Sequence, residues 1–201
     1  MTADRLVILL HGVGAHGSSI AWLADPLGLA SGIAVAAPDA PFAFDAAPQG
    51  PGRQWFSVTG VTAANRPARV AAARAPFDAM LAGIITEHGL TDALDRVALV
   101  GFSQGSIMAL DAVATGRWLV GLLVAFSGRF VGPAPASPPK TPILIAHGTA
   151  DTAIPVAEAY HAHASLPQAE FIVEPDIGHA PGPQGVARAR VMLAAWSGAL
   201  V

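Results

Sequence analysis

The sequence predicts an α/β fold with a mostly parallel central sheet and helices on both of its faces. Short aliphatic runs alternate with longer helix-like segments, which is the pattern of βα units that feed a parallel sheet. Most of these runs are apolar throughout, as strands buried on both faces are. Apolar residues make up 53% of the chain and charged residues 12%, which excludes a disordered polypeptide. From the length of 201 residues we expect a single domain over residues 1–201.

The elements follow one another along the chain with few interruptions. Strands are predicted at residues 6–10, 33–37, 97–100, 119–125, 142–146 and 170–173, and helices at 20–30, 67–88, 105–114, 156–164 and 184–199. Pro67 and Pro155 favour helix starts, since the first turn tolerates a missing N–H. Residues 38–62 and 132–142 fit no regular element and are predicted to be loops. The first is longer than ordinary connections, which is typical of functional loops, and the second is interpreted as a surface connection stiffened by prolines.

Composition excludes several function classes. The 11 basic and 14 acidic residues give a net charge of −3, and no basic cluster is present, so nucleic acid is not expected as a partner. The absence of cysteine excludes disulfides, thiolate metal sites and a cysteine nucleophile. The apolar runs are far shorter than the roughly 20 residues that span a bilayer, so no stable membrane insertion is expected. The first residues lack the pattern of a signal peptide, from which we expect a cytoplasmic location.

The strongest motif is the G-x-S-x-G sequence Gly101-Phe102-Ser103-Gln104-Gly105, which lies between a predicted strand and a predicted helix. This is the context of a nucleophile elbow: the glycines make room for a strained turn, and the serine lies at the positive end of a helix dipole. A glycine-rich turn with a helix-capping serine is the alternative. The motif and its context predict Ser103 as a nucleophile.

A serine nucleophile requires a base that removes its proton, and the base requires an acidic partner. In the α/β-hydrolase fold the acid and the histidine follow the serine in that order, from loops after successive strands. Asp151 follows the predicted strand at 142–146, and His179 follows the one at 170–173. The order therefore predicts Ser103, Asp151 and His179 as the catalytic residues.

Other residues are poorer candidates for these roles. Six histidines precede the serine, end a predicted element or lie on a helix: His11, His16, His88, His147, His161 and His163. The last two are two residues apart and face different directions, which argues against a paired metal site. Asp176 and Glu174 are alternatives for the acid, but they are expected to belong to the loop of His179 itself. This chemistry requires no metal and no other cofactor.

The tetrahedral intermediate of acyl transfer needs N–H donors for its oxyanion. The backbone N–H of Gln104, directly after the nucleophile, is expected to be one donor. The second is expected from the loop after the first strand, His11-Gly12-Val13-Gly14, where glycines let the backbone turn its amides toward the site. The N–H of Val13 is the best candidate, and a purely structural turn is the alternative.

Six motifs follow one another along nearly the whole chain: Leu10-His11-Gly12-Val13-Gly14, Ala37-Pro38-Asp39-Ala40-Pro41, Trp55-Phe56, Gly101-Phe102-Ser103-Gln104-Gly105-Ser106, His147-Gly148-Thr149-Ala150-Asp151 and Gly178-His179. In this combination the sequence resembles the phospholipase/carboxylesterase family, which includes the acyl-protein thioesterases. The resemblance implies an α/β-hydrolase fold without a cap domain. It also implies the same three catalytic residues and an oxyanion hole built from the amides of Val13 and Gln104.

Four apolar residues are candidates for lining an acyl-binding pocket, because ligand sites are mostly apolar with few polar groups: Trp55, Phe56, Phe102 and Ile154. Core packing is the alternative for each of them. Asp39 is expected to cap or brace its turn through side-chain hydrogen bonds. Arg53 either recognises a negatively charged substrate group or is solvated.

These residues predict a serine carboxylesterase that hydrolyses small-molecule acyl esters through an acyl-enzyme on Ser103. An acyl-protein thioesterase or a lysophospholipase would use the same three residues, and acyl-donor kinetics would separate these activities. The alternative from another class is a catalytically inactive binding protein of the same fold. A dienelactone hydrolase shares the fold but typically uses a cysteine, which this chain lacks. A homodimer is possible, although no residue pattern establishes one.

Overall fold

The computed structural model describes residues 4–29 and 32–198. The strands are β1 (Arg5–Leu10), β2 (Ile33–Ala36), β3 (Phe42–Ala43), β4 (Arg53–Gln54), β5 (Val97–Phe102), β6 (Leu122–Phe126), β7 (Ile143–Gly148) and β8 (Glu170–Glu174). The α-helices are α1 (Gly17–Ile20), α2 (Arg66–Glu87), α3 (Gln104–Ala114), α4 (Ala157–Ser165) and α5 (Pro183–Ser197). Two short 3-10 helices cover Ala21–Ala24 and Leu94–Arg96.

Six strands form one sheet in the order β2-β1-β5-β6-β7-β8, and every neighbouring pair is parallel. Successive side chains of β1 face opposite sides, as the pleat requires: Leu6 and Ile8 belong to one core and Val7 and Leu9 to the other. Helices α2, α3 and α4 close the first core, and α5 and the segment around α1 close the second. The predicted α/β architecture is therefore confirmed, and coverage of both faces explains why the central strands are apolar throughout.

The two edge strands are less buried than their apolar sequences predict. Val35 in β2 is 41% exposed, and Glu174 is the one residue of β8 that is buried. An edge strand has a neighbour on one side only, so solvent reaches its side chains from the other. Of the strand predicted at 119–125, only the part from Leu122 is paired. The apolar run starts earlier because Trp118 and Val120 pack on the core from the preceding loop.

The helix predicted at 20–30 is wrong over most of its length. The chain instead forms the single turn α1, the 3-10 helix and a turn that ends at Gly28, where φ is +65°. Pro26 explains the interruption, because proline lacks an N–H and disfavours helical backbone in the residue before it. Residue 30 lies outside the described residues, as does residue 199, the predicted end of the last helix; α5 ends at Ser197.

The long segment 38–62 is not wholly irregular, which corrects its assignment as a loop. Strands β3 and β4 pair antiparallel within it, with Phe42 opposite Gln54 and Ala43 opposite Arg53. A pairing of two residues is too short to produce an alternation that the sequence could reveal. Residues 132–142 contain no regular element, as predicted.

The carboxyl ends of the parallel strands lie along one edge of the sheet, and the loops that follow β1, β5, β6, β7 and β8 meet there. In open parallel sheets this edge is where ligands bind. Within the described ranges, no helix combines the length and the apolar character that crossing a membrane requires.

Candidate active site

Ser103 occupies a strained turn between β5 and α3. Its backbone has φ +55° and ψ −117°, a conformation that side-chain-bearing residues rarely adopt. The flanking glycines make this turn possible: a Cβ on Gly101 would lie 2.6 Å from the backbone nitrogen of Ser106, and one on Gly105 would collide with the carbonyl oxygen of Leu10. The sequence Gly-x-Ser-x-Gly therefore places the serine at the top of the sheet, as a nucleophile elbow does.

The side chains of Ser103, His179 and Asp151 form a chain of hydrogen bonds. Nε2 of His179 lies 2.9 Å from the Ser103 hydroxyl, and Nδ1 of His179 lies 2.7 Å from Oδ2 of Asp151. A carboxylate can only accept, so Nδ1 carries the proton and Nε2 is free to accept from the serine. The structure thus brings together the three residues that the sequence singles out for catalysis.

Asp151 is ionised despite a side chain that is fully buried. Burial alone would raise the pKa of this carboxyl, but hydrogen bonds from His179 and from the backbone N–H groups of Ile154 and Ala153 outweigh it and hold the pKa below its ordinary value. The two backbone donors contact Oδ1 at 2.8 and 2.9 Å. Oδ1 is therefore fixed by the backbone, which leaves Oδ2 to face His179.

His147 is a further buried neighbour of Asp151, and no role is predicted for it from the sequence. Its Nε2 lies 2.8 Å from the carbonyl oxygen of Ile154, to which it donates, and 3.2 Å from Oδ2 of Asp151. Its Nδ1 is buried and has no partner within the described part of the chain. The signal that could have revealed this residue is a histidine at the end of an apolar strand, four residues before the acid.

The loop of His179 is fastened to the loop of Asp151 by backbone hydrogen bonds. The N–H of Ala150 donates to the carbonyl of Ile177, and that of Thr149 donates to Glu174, both at 2.9 Å. A Cβ on Gly148 would collide with the carbonyl oxygen of Ile177, so glycine lets the two loops approach. This contact sets the distance between acid and histidine.

Two backbone N–H groups lie free beside the serine. Val13 and Gln104 line the same cavity as Ser103, and no acceptor for either N–H occurs among residues 4–29 and 32–198. Gly12 brings the first of them close, since a Cβ at Gly12 would lie 3.2 Å from Cβ of Ser103. Free donors at this place can stabilise a developing oxyanion.

The loop that carries Val13 is held in place by the segment 38–55. Gly14 donates to the carbonyl of Arg53 at 2.8 Å, and the N–H of Arg53 donates to Ala15 at 2.7 Å. The guanidinium of Arg53 donates to the carbonyl oxygens of Ala40 and Pro41, both at 2.9 Å. Arg53 does not line the cavity, which speaks against the substrate-binding role; its half-buried guanidinium is bonded within its own segment, and its backbone ties that segment to the loop of Val13.

His11 and Asp39 brace the same region. Nε2 of His11 accepts the N–H of Ala40 at 3.0 Å, and its Nδ1 donates to the carbonyl of Gly12 at 2.7 Å. Burial lowers the pKa of His11, which keeps the ring neutral as these two bonds require. Asp39 accepts the N–H of Gly17 at 2.7 Å, so it braces a neighbouring loop through its side chain rather than capping its own turn.

A cavity of about 610 Å³ opens beside Ser103 and His179. Phe56, Phe102 and Ile154 line it, as expected for pocket residues. Trp55 does not, which corrects its prediction: it is 1% exposed and packs in the core, with its indole N–H bonded to the carbonyl of His11 at 2.8 Å. Burial of the large apolar ring favours this inward orientation, and the carbonyl of His11 satisfies the indole N–H that would otherwise be buried without a partner.

The side chains of Gln104 and of two arginines also lie beside the site, and no role is predicted for them from the sequence. The amide of Gln104 is hydrogen-bonded to the backbone of Trp55 and Phe56. Arg66 and Arg129 line the cavity. Among the residues described, no cluster of three or more histidine and carboxylate side chains could hold a metal ion.

Comparisons with known proteins find esterases similar to this chain in sequence and in fold. The model of the family described as Phospholipase/Carboxylesterase matches residues 1–196. The chain is similar to Esterase YpfH of Escherichia coli (strain K12), with 35% identity over 189 residues that cover 89% of this chain and 77% of that protein. Among solved structures, esterase PE8 superposes with a TM-score of 0.84 at 30% identity, covering 96% of this chain and 93% of its own. The fold is also similar to that of Zea mays acyl-protein thioesterase 2, with a TM-score of 0.75 at 22% identity, covering 98% and 95% of the two chains.

Proposed function

The chain belongs to the phospholipase/carboxylesterase family, and from this premise we propose that it is a serine carboxylesterase which hydrolyses carboxylic esters through an acyl-enzyme on Ser103. The observation that carries the mechanism is the hydrogen-bonded series from Asp151 through His179 to Ser103, at the mouth of a largely apolar cavity. A base in contact with the hydroxyl and an acid in contact with the base are what a serine nucleophile requires.

Acylation begins when the hydroxyl oxygen of Ser103 attacks the ester carbonyl carbon and Nε2 of His179 takes the hydroxyl proton. The carbonyl oxygen becomes an oxyanion, which the free N–H groups of Val13 and Gln104 stabilise. The tetrahedral intermediate then expels the alcohol as its oxygen receives the proton from His179. The products of this half-reaction are the free alcohol and an acyl ester on Ser103.

Deacylation repeats the sequence with water in place of the serine. His179 takes a proton from water, the hydroxide attacks the acyl carbon, and the same two N–H groups hold the second oxyanion. Collapse of this intermediate releases the carboxylic acid and returns the proton to Ser103. Asp151 stays ionised throughout, because its role is to hold the histidine in the Nδ1–H form and to stabilise the imidazolium.

Hydrolysis of a 4-nitrophenyl ester series from acetate to palmitate tests this proposal, with wild type and Ser103→Ala assayed in parallel. The variant is expected to lose at least about 10³-fold in kcat, since loss of a serine nucleophile removes the whole acyl transfer. A fluorophosphonate probe labels wild type but not the variant. If neither wild type nor the variant hydrolyses the esters or reacts with the probe, the proposal is contradicted and a binding protein of the same fold is favoured.

The same assay separates the related activities that use these three residues. A palmitoyl thioester and a lysophospholipid are included as additional substrates, and the proposal expects oxygen esters to give the highest kcat/KM. The cytoplasmic location, the homodimer and the single domain remain predictions, which cell fractionation, sedimentation and limited proteolysis test.

A further inference from the structure

Two arginines in the cavity wall take no part in the proposed acyl transfer. Arg66 and Arg129 line the space beside Ser103, and the other lining residues are apolar or uncharged apart from the histidines His11 and His179. None of the described lining residues is a carboxylate. The cavity is therefore apolar in most of its wall and positive in one part of it.

Arg129 is held in the wall by a single carboxylate. It follows β6, is 9% exposed, and donates from Nη1 to Glu158 at 2.9 Å. Its Nε and Nη2 have no acceptor within the two described ranges, and neither is sealed from solvent. The preceding Gly128 packs on the elbow, since a Cβ there would lie 3.6 Å from the carbonyl oxygen of Ser103. The free donors of Arg129 thus belong to a loop that contacts the nucleophile.

Arg66 is the first residue of α2 and is half-buried. Its guanidinium forms no ion pair and no hydrogen bond with any residue that the structure describes. It lies within electrostatic reach of Arg129: burial lowers the pKa of Arg129 and the charge of Arg66 adds to this, whereas Glu158 and Asp151 oppose it. The wall therefore contains two neighbouring cations, and Glu158, which lies outside the lining, is already engaged with Arg129.

Two neighbouring arginines, of which only Arg129 has an ion-pair partner, are unfavourable in an apolar cavity when an apolar ligand fills it. A neutral acyl chain would displace water from both guanidiniums without offering an acceptor in its place. A carboxylate offers acceptors that match the planar fork of a guanidinium, and its charge offsets the repulsion between the two arginines. The wall is thus suited to a ligand that is apolar along its length and anionic at one end.

We propose that the ester substrate carries a second, anionic group, a carboxylate, which binds between Arg66 and Arg129 while the ester carbonyl lies at Ser103. This inference rests on the proposed function, because it names the class of ester that the same site takes. The cavity volume of about 610 Å³ is large enough for a small hemiester. The carboxylate belongs either to the acyl part or to the alcohol part, and substrates of both kinds distinguish these sources.

Monoethyl adipate and its neutral isostere ethyl 6-amino-6-oxohexanoate test the proposal for the acyl side. Wild type is expected to cleave the hemiester with a kcat/KM on the order of 10- to 100-fold above that for the amide, as hydrogen bonds to charged groups contribute about 1.5–3 kcal/mol. Arg66→Gln and Arg129→Gln should each reduce this ratio about 10-fold. Arg96→Gln is the matched control, since Arg96 is exposed and outside the cavity, and both rates should stay at wild-type values.

The alcohol side is tested with 4-(butanoyloxy)benzoate against its neutral methyl ester. The proposal is supported if wild type prefers the anionic substrate in either pair and Arg66→Gln diminishes that preference. The pair that shows this identifies whether the carboxylate belongs to the acyl or the alcohol part. Arg66→Glu extends the test, because it should shift preference toward ethyl 6-aminohexanoate, which carries an ammonium group. These two variants keep the test valid if Arg129→Gln, which leaves Glu158 unpaired, fails to fold.

Two results distinguish failure of this inference from failure of the esterase proposal. If wild type cleaves anionic and neutral esters equally and Ser103→Ala is inactive, the arginine assignment is overturned and ester hydrolysis stands. If wild type is inert to every ester and to a fluorophosphonate, both proposals are overturned. An anion preference that persists unchanged in Arg66→Gln and Arg129→Gln also overturns the assignment.

Discussion

The side-chain amide of Gln104 is hydrogen-bonded to the backbone of Trp55. Its oxygen accepts the N–H of Trp55 at 2.8 Å, and its NH₂ group donates to the carbonyl of the next residue, Phe56, at 2.7 Å. Both bonds are buried, so water cannot replace them. They join the first residue of α3, directly after Ser103, to the loop that supplies one wall of the cavity.

Gln104→Ala should loosen that wall without removing the oxyanion donor. The substitution leaves the N–H of Trp55 and the carbonyl of Phe56 buried and unpaired, which should lower the free energy of unfolding by about 2–4 kcal/mol. The backbone N–H of residue 104 is retained, so KM should rise more than kcat falls. Urea unfolding and ester kinetics measure the two effects, with the exposed Gln168→Ala as control. A loss confined to kcat would contradict the wall-positioning role.

Asp151→Asn should disable the histidine by imposing the wrong tautomer. The backbone N–H groups of Ala153 and Ile154 require an acceptor at the Oδ1 position, so the amide oxygen lies there and the NH₂ faces Nδ1 of His179. Nδ1 must then accept, and the proton moves to Nε2, which can no longer take the proton of Ser103.

The expected loss for Asp151→Asn is on the order of 10³- to 10⁴-fold in kcat, with little change in circular dichroism. Stopped assays on a 4-nitrophenyl ester at neutral pH measure it. A variant within tenfold of wild type would show that Asp151 does not set the state of His179.

Stability should depend on the protonation of His11. Burial lowers the pKa of this ring in the folded chain from the ordinary value of 6.5. At pH values between the lowered pKa of the folded chain and the ordinary pKa of the unfolded chain, the unfolded chain binds more protons than the folded chain. The free energy of unfolding therefore increases with pH through that range. The contribution is fully present above 6.5 and is lost as the pH falls toward the folded pKa. Protonation of Nε2 would also break the bond from Ala40.

His11→Gln removes this titration and should flatten the pH dependence of stability. Unfolding in urea at several pH values from about 5 to 7 compares the slopes of variant and wild type, which linkage relates to the protons bound. The slopes are compared rather than the absolute stabilities, because the substitution also changes hydrogen bonds. Equal slopes would rule out His11 as the source of the dependence.

Most strands of the six-stranded sheet and the order of the three hydrogen-bonded residues could be predicted from local sequence. Buried parallel strands are continuous apolar runs, and β1, β5, β7 and β8 lie within two residues of the positions those runs predict. Asp151 and His179 follow two such strands directly, so their place at one edge of the sheet needs no knowledge of distant contacts.

Features that depend on contacts between distant segments could not be predicted. Trp55 packs in the core, where the carbonyl of His11 accepts its indole N–H, and Arg53 is occupied by carbonyls of its own segment. In both cases the path of the 38–62 segment decides the environment, and no periodicity in that segment reveals the path. The proximity of Arg66 and Arg129 could not be predicted either, because α2 and the loop after β6 are distant in sequence and meet only at the cavity.

Asp111 is the centre of an ion-pair cluster on the side of α3 that faces α2, and its removal should affect stability rather than catalysis. The carboxylate is 1% exposed and accepts from Nε and Nη2 of Arg74, at 3.0 and 2.8 Å, and from Nη1 of Arg117 at 2.9 Å. Loss of one partner of a buried ion pair leaves an uncompensated charge.

Asp111→Ala should lower the free energy of unfolding by about 2–3 kcal/mol. This is below the 3–5 kcal/mol typical of buried pairs, because both arginines can be partly solvated: their side chains are 38% and 21% exposed. Glu170→Ala, which breaks the exposed pair with Arg188, is the matched control and should cost at most about 1 kcal/mol. Urea unfolding measures both. Equal losses in the two variants would show that burial of Asp111 adds nothing, whereas the expected difference places this cluster among the contacts that stabilise the packing of α3 on α2.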